Sequence, residues 1–199
     1  MTTTLLGFLL GAYVFGALPI GLVVGKVVRG IDVREFGSGN IGASNVWRTL
    51  GPAWGIVVFA LDVCKGLIPT LLAHHLAHAP AWLPVAAGVA AVLGHNFSPF
   101  LRFQGGKGVA TTLGVAFGLS WMAALIGFAV WGLCLALTRY ISLSSVVGVP
   151  VGAFFTWWLN GRQWPYGAFA LAVSVFVVVK HRANFARLRA GTEPKVGRK

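Results

Sequence analysis

The sequence predicts an all-α integral membrane protein of seven transmembrane helices, with a periplasmic N-terminus and a cytoplasmic C-terminus. Three observations lead there. Of 199 residues, 57% are hydrophobic and 10% charged, and mean hydropathy is +0.79, far from the composition of a soluble domain. Several uncharged runs approach the roughly 20 residues that cross about 30 Å of hydrocarbon. The basic residues fall almost entirely on one side of those runs once they are threaded through a bilayer. A water-soluble enzyme is thereby excluded.

The uncharged runs are residues 5–28, 53–73, 82–94, 109–137, 141–159 and 165–179. The first follows Met-Thr-Thr-Thr with no basic n-region and is too long for a signal-peptide core, so it is expected to stay as a membrane helix. The fourth, at about 29 residues and roughly 43 Å, is either one strongly tilted helix or two short ones broken near Gly118-Leu119-Ser120-Trp121. The positive-inside rule chooses between them. Seven helices place Lys26, Arg29, Arg34, Arg48, Arg102, Lys107, Arg139, Lys180, Arg182, Arg187, Arg189, Lys195, Arg198 and Lys199 on one face. Only Arg162 lies opposite, and Lys65 lies within a helix. Six helices would split the same residues almost evenly. No repeat, linker or low-complexity tract interrupts the chain, so 1–199 is expected as one membrane-embedded domain.

Sixteen Lys and Arg against four Asp and Glu give +12, a balance that suits anionic lipid or a phosphorylated substrate. Nucleic acid fits poorly, because the basic residues are scattered between apolar runs rather than gathered on a soluble face. Cys64 and Cys134 sit inside apolar segments without metal-ligand spacing and are expected to be structural. His74, His75 and His78 fall in an outer loop with no carboxylate or cysteine near them to complete a metal site. No metal or cofactor is called for.

Three polar stretches carry the chemistry. Residues 35–48 hold Ser38, Asn40, Asn45 and Arg48 among glycines, a composition suited to an anion cradle and equally to an Asx-rich turn capping a helix. Residues 94–112 place Gly105, Gly106 and Gly108 around Lys107 just before an apolar helix, with His95 and Arg102 beside them. Backbone N–H groups at a helix start bind phosphate in this way. The Walker A spacing is absent, since no Ser or Thr follows Lys107. Residues 180–195 carry His181, Arg182, Asn184, Arg187 and Glu193 where the last helix emerges; a basic grip on lipid explains the charges but not His, Asn and Glu. Asp62 and Lys65, three apart within a membrane run, are expected to pair or to support the site. Arg139 precedes Ser142, Ser144 and Ser145 at the same predicted face. Their joint placement suggests a polyanion site that stabilises developing negative charge, walled by lipid-facing helices. A transporter of phosphorylated anions is the rival reading, disfavoured by the missing repeat and by polar motifs at one interface rather than at the midplane.

These residues resemble a known family. S-G-N-x-G-x-x-N with Arg48, then G-H with F-x-G-G-K-G-V-A-T, then H-R-x-N-x-x-R-L with G-x-E-x-K, resemble the three motifs of bacterial acyl-phosphate:glycerol-3-phosphate acyltransferases, the PlsY family. D-x-x-K-G-x-x-P from Asp62 and R-x-x-S-x-x-S from Arg139 extend the likeness over nearly the whole chain. The resemblance implies an inner-membrane enzyme that acylates the 1-position of sn-glycerol 3-phosphate, releasing phosphate and giving lysophosphatidic acid, the first acylation of phospholipid synthesis. A peripheral enzyme that makes acyl phosphate is an implied partner. An acyl phosphate is already activated, so the acceptor hydroxyl attacks directly without an acyl-enzyme. That agrees with the absence of a G-x-S-x-G elbow and of an H-x-x-x-x-D motif. Expected phosphate ligands are the Gly105, Gly106, Lys107 and Gly108 loop with Ser38 and Arg48, joined by Asn40, Lys65, Arg139 and Arg182. Asn45, Asn184 and Ser142 are the expected oxyanion donors. The base is His181, His95 or a phosphate oxygen of the donor.

Overall fold

The computed structural model describes residues 2–197. Arg198 and Lys199, counted above among the basic residues of one face, lie outside the described residues. Ten α-helices and two short 3₁₀ turns make up the regular structure, with no strand among the described residues. The chain divides into two compact units, Met1–Gly118 and Leu119–Lys199.

In the first unit, residues 5–28 form two helices rather than the single one expected, α1 (Thr2–Ala17) and α2 (Ile20–Arg29). Pro19 is the cause: it has no N–H to donate and disfavours helical geometry at Leu18 before it. Helix α2 stops at Gly30, whose left-handed φ of 69° lets its N–H reach the Lys26 carbonyl and that of Ile31 reach Gly25, a closure that needs a residue without a β-carbon. A short amphipathic helix α3 (Ala43–Leu50) lies outside the apolar runs. It buries Val46 and Leu50 against Val33, Ile41, Val58 and Leu101 and leaves Trp47 and Arg48 exposed. Helices α4 (Pro52–His75), α5 (Leu83–Asn96) and α6 (Val109–Leu119) complete the unit.

Water is absent from hydrocarbon, so helices there gain little from burying apolar surface against each other and rely on close approach. Gly94 of α5 faces the Tyr13 carbonyl and the Ala17 amide of α1, while Gly114 of α6 faces the Val63 carbonyl and the Leu67 amide of α4. In each pair backbone lies directly on backbone.

The second unit contains α7 (Trp121–Thr138), α8 (Ile141–Leu159), α9 (Trp164–Lys180) and α10 (Arg182–Arg189). The long run 109–137 is broken at Ser120, as the topology argument requires. Ser120 has extended backbone (φ −164°, ψ 100°), and its hydroxyl caps α7 by accepting from the Ala123 amide at 3.4 Å. Gly127 of α7 meets Gly148 and Gly152 of α8. Helices α9 and α10 bend by 49° at their junction, residue 181.

Among the described residues four stretches are long and apolar enough to cross a membrane: Thr2–Arg29, taken across its break, Pro52–His75, Trp121–Thr138 and Ile141–Leu159. Counted as one broken span, the bent pair α9 and α10 makes five.

Gly94→Val drives a side chain into the α1 backbone and is expected to cost about 1–3 kcal/mol by overpacking, read as a lower Tm in detergent. Gly132→Ala, where nothing lies within 4 Å of the new atom, leaves Tm unchanged or slightly raised, since Ala favours helix.

Candidate active site

Residues 33–48 are organised by one buried side chain. Asn45, fully buried, donates through Nδ2 to the carbonyls of Val33 at 2.7 Å, Asn40 at 2.8 Å and Phe36 at 3.1 Å. Its Oδ1 accepts from the Ser38 amide at 2.7 Å. The carboxamide hydrogens are thus spent on the loop's own backbone, and Asn45 is the loop's fastener rather than the oxyanion donor expected from sequence. Asn40 Oδ1 accepts from the Gly42 amide at 2.9 Å, the Asx turn that leads into α3. The turn reading is the one the hydrogen bonds bear out: Asn40 and Asn45 build a turn that leaves Ser38 exposed and leads into α3, on which Arg48 is exposed. Ahead of it Asp32 accepts from Arg34 Nη2 at 2.6 Å and from Arg34 Nε. That side-chain bond holds the Asp32 carboxyl down at about 2.

The glycine loop is arranged differently from a free anion nest. The Gly105 amide donates to the Asn96 carbonyl at 3.1 Å and the Gly106 amide to the His95 carbonyl at 3.0 Å. Two of the expected phosphate-binding N–H groups are therefore committed to the end of α5. Their glycines are required because a β-carbon at 105 would strike the backbone of His95 and Asn96, and one at 106 would strike the His95 ring. Gly108 has φ 79°, and a β-carbon there would stand 2.7 Å from Asn96 Nδ2. Lys107, half-buried between Gly106 and Gly108, is the charged group this loop positions. Ser98 Oγ donates to the Ala17 carbonyl and Tyr13 Oη to the Phe97 carbonyl, each at 2.6 Å, tying the root of the loop to the end of α1.

Lys65 is not placed as an anion ligand. It is 2% exposed, pairs with Asp62 Oδ1 at 2.6 Å and donates to the Leu18 carbonyl at 2.7 Å. Its third neighbour is His95 Nδ1 at 3.3 Å. An ammonium has three hydrogens, and two of them are taken by the Asp62 carboxylate and the Leu18 carbonyl.

In the second unit the segment 192–197 folds back over the α7–α8 turn. Arg139 Nε donates to the Val196 carbonyl at 2.9 Å, and the Val196 amide donates to the Arg139 carbonyl at 2.9 Å. Arg139 thus holds the segment rather than presenting its Nε to a ligand. Glu193 is buried on it and accepts from Asn184 Nδ2 at 2.7 Å and from Arg187 Nε at 2.8 Å. Burial pushes the Glu193 carboxyl up; Asn184, Ser142 and Arg187 together outweigh it and leave the group below its ordinary range. Ser142 and Asn184, expected as oxyanion donors, therefore both stand beside a carboxylate. Ser144 and Ser145 bond back to the carbonyls of Tyr140 and Ile141. His181, at the α9–α10 bend and 3% exposed, has Nδ1 2.8 Å from the Val177 carbonyl. A carbonyl only accepts, so Nδ1 carries a hydrogen, and in the neutral ring the lone pair is then on Nε2. Arg182 is exposed.

The sequence placed Glu193 in the third stretch without a role and expected Asp62 to pair with Lys65, as it does; it passed over Asn96. The signal for the first two was scarcity: in a chain with four acids, an acid within or beside an apolar run needs a partner. Asn96, fully buried with neither side-chain polar atom hydrogen-bonded, had no sequence signal beyond its place beside His95.

Two consequences are measurable. Asn45→Asp puts an oxygen where Nδ2 now donates to three carbonyls; the loss of about 1–3 kcal/mol per unsatisfied buried group lowers Tm, while Ser38→Ala leaves Tm unchanged. Glu193 has a folded pKa below its ordinary 4.5, so its stabilisation is complete above that value and disappears as pH falls through the lower folded value. The protection of α10 amides, measured against their intrinsic exchange rates at each pH, should therefore fall in acid, and Glu193→Gln should show the lower protection already at neutral pH.

Comparison with known proteins agrees along almost the full chain. The family described as glycerol-3-phosphate acyltransferase matches residues 6–191. A glycerol-3-phosphate acyltransferase of Gloeobacter violaceus is 42% identical over 197 residues, covering 96% of this chain and 95% of the relative. One of Geobacter sulfurreducens is 46% identical over 182 residues, 92% of each. The crystal structure of PlsY (YgiH), an integral membrane glycerol 3-phosphate acyltransferase in its glycerol 3-phosphate form, is similar with TM-score 0.91 and 38% identity, over 98% of this chain and 96% of that one. Its lysophosphatidic acid form gives TM-score 0.88.

Proposed function

Since this chain belongs to the glycerol-3-phosphate acyltransferase family, we propose that it transfers an acyl chain from acyl phosphate to the 1-position of sn-glycerol 3-phosphate. Phosphate leaves and lysophosphatidic acid remains. The observation that carries this reading is the family match across residues 6–191, which spans the first two polar motifs and residues 180–191 of the third. The donor is a mixed anhydride, and the acceptor hydroxyl attacks its carbonyl carbon directly. A peripheral enzyme that makes acyl phosphate supplies it.

The chain crosses the inner membrane seven times, with a periplasmic N-terminus and its polar motifs at the cytoplasmic face. Supporting this are the one-sided basic residues and the break at Ser120 that divides the long apolar run. Helices α5 and α6, at about 21 and 17 Å by helical rise, are shorter than the hydrocarbon core.

Lys107, held by the Gly105–Gly108 loop, and Arg48 provide positive charge for phosphate, joined by the exposed Ser38; the second unit offers the exposed Arg182. Among the candidate bases His181 is favoured, because its Nδ1 is tied to the Val177 carbonyl and its Nε2 therefore bears the lone pair that takes the acceptor's proton. Asn184 acts through the Glu193 carboxylate that fixes its Nδ2, with Ser142 buried nearby.

The test is phosphate release by purified, detergent-solubilised protein given palmitoyl phosphate. Release should require glycerol 3-phosphate and yield lysophosphatidic acid. Lys107→Ala and Arg48→Ala should raise KM for glycerol 3-phosphate about tenfold or more. His181→Ala should lower kcat by about 10²–10⁴; a normal rate in that variant assigns the proton to a phosphate oxygen of the donor. No acceptor-dependent release from folded protein overturns the reading.

A further inference from the structure

Three groups from three separate stretches of the first unit meet around one buried ammonium. Lys65 Nζ lies 2.6 Å from Asp62 Oδ1, 2.7 Å from the Leu18 carbonyl and 3.3 Å from His95 Nδ1. The side chains of Lys65, Asp62 and His95 are 2%, 3% and 4% exposed. From this cluster we infer that Lys65 and Asp62 are positioning residues: they fix His95 as a neutral imidazole whose hydrogen sits on Nε2, so that it presents a donor, and not a base, to the glycine loop.

The assignment follows from which atoms are able to donate. A Leu18 carbonyl and an Asp62 carboxylate only accept, so Lys65 supplies the hydrogen to each, and its remaining hydrogen points to the third neighbour. His95 Nδ1 is 3.6 Å from Asp62 Oδ1, beyond hydrogen-bonding distance, so the carboxylate does not draw a proton onto that nitrogen. A hydrogen on Nδ1 would face the ammonium. The Nδ1 lone pair accepts from Lys65, and the ring hydrogen is on Nε2. On its far side the ring abuts Gly106, whose α-carbon leaves no room for a side chain next to Nε2 and whose amide already donates to the His95 carbonyl. Ring and backbone of His95 thus both engage the residue that precedes Lys107.

The two buried histidines consequently have opposite tautomers. His181 donates through Nδ1 to a carbonyl and keeps its lone pair on Nε2; His95 accepts at Nδ1 and keeps its hydrogen on Nε2. Each assignment is set by a neighbour that does not itself touch the far nitrogen, as second partners of a ring commonly do.

The decisive measurement is the nitrogen NMR spectrum of 15N-histidine-labelled protein in detergent micelles at neutral pH, with His95 identified by its loss in His95→Gln. The expected spectrum has a bare Nδ1 and a hydrogen-bearing Nε2 at His95. A hydrogen on Nδ1 in the unaltered protein overturns the inference, whether or not any variant folds. In Lys65→Met the His95 signals should move toward an average of both tautomers; unchanged signals in a folded Lys65→Met also overturn it. A kinetic arm rests on the acyl-transfer reading. His95→Gln, whose side-chain amide keeps a donor near Nε2, should retain kcat within about threefold, whereas His95→Leu loses about tenfold or more, the scale of one lost hydrogen bond. Equal losses in both overturn the donor role. Absence of acyl transfer in the unaltered protein would overturn the proposed function and leave the spectrum to decide the tautomer.

Discussion

An ammonium in the middle of a bundle of apolar helices is stable only if every hydrogen it carries finds an acceptor, and Lys65 meets that demand with a carboxylate, a carbonyl and an imidazole. Removing any one would leave a charge or a polar group stranded in low dielectric, a penalty of several kcal/mol. Hence the first unit must bring the end of α1, the middle of α4 and the end of α5 to a common point, and it does so by glycine contacts that let backbones touch. The pair is a geometric constraint before it is a source of stability, since two buried charges repay little more than their own desolvation.

The same accounting governs the polar groups elsewhere. Asn45 closes the loop before α3 by serving three carbonyls, and Glu193 closes the segment after α10 by serving Asn184 and Arg187. Each is a buried side chain of a type seldom buried without partners. What these fasteners leave outward, Ser38, Arg48 and Arg182, is short or cationic. The motif residues thus divide between those that hold backbone in place and those whose side chains stay exposed, though their residue types look alike.

That division explains what the sequence disclosed and what it withheld. The helices were legible because uncharged runs and one-sided basic residues are properties of the string itself, and Ser120 broke the long run where charge balance asked for a break. The chemistry class was legible too, from the family likeness of three ordered motifs. The role of Asn45 was not, because an asparagine that builds a turn and one that meets an oxyanion read identically until its three carbonyl partners are known. The histidine tautomers were equally hidden: that of His95 turns on Lys65, 30 residues away, and that of His181 on a ring orientation toward the Val177 carbonyl that residue types do not disclose. Pro19 was visible and its effect was underweighted, since apolar character masked a backbone defect.

That defect carries a lesson for engineering. Where α1 gives way to α2, the carbonyls of Ala17 and Leu18 escape the helical ladder, and one receives the Ser98 hydroxyl while the other receives Lys65. Straightening the segment into an ideal helix would return both oxygens to backbone partners. A consensus or design protocol that rewards helical regularity would therefore score the repair as an improvement while disconnecting the first span from the glycine loop. Thermostabilised versions of this chain should be sought on the lipid-facing surface, with the irregular junction left as it stands.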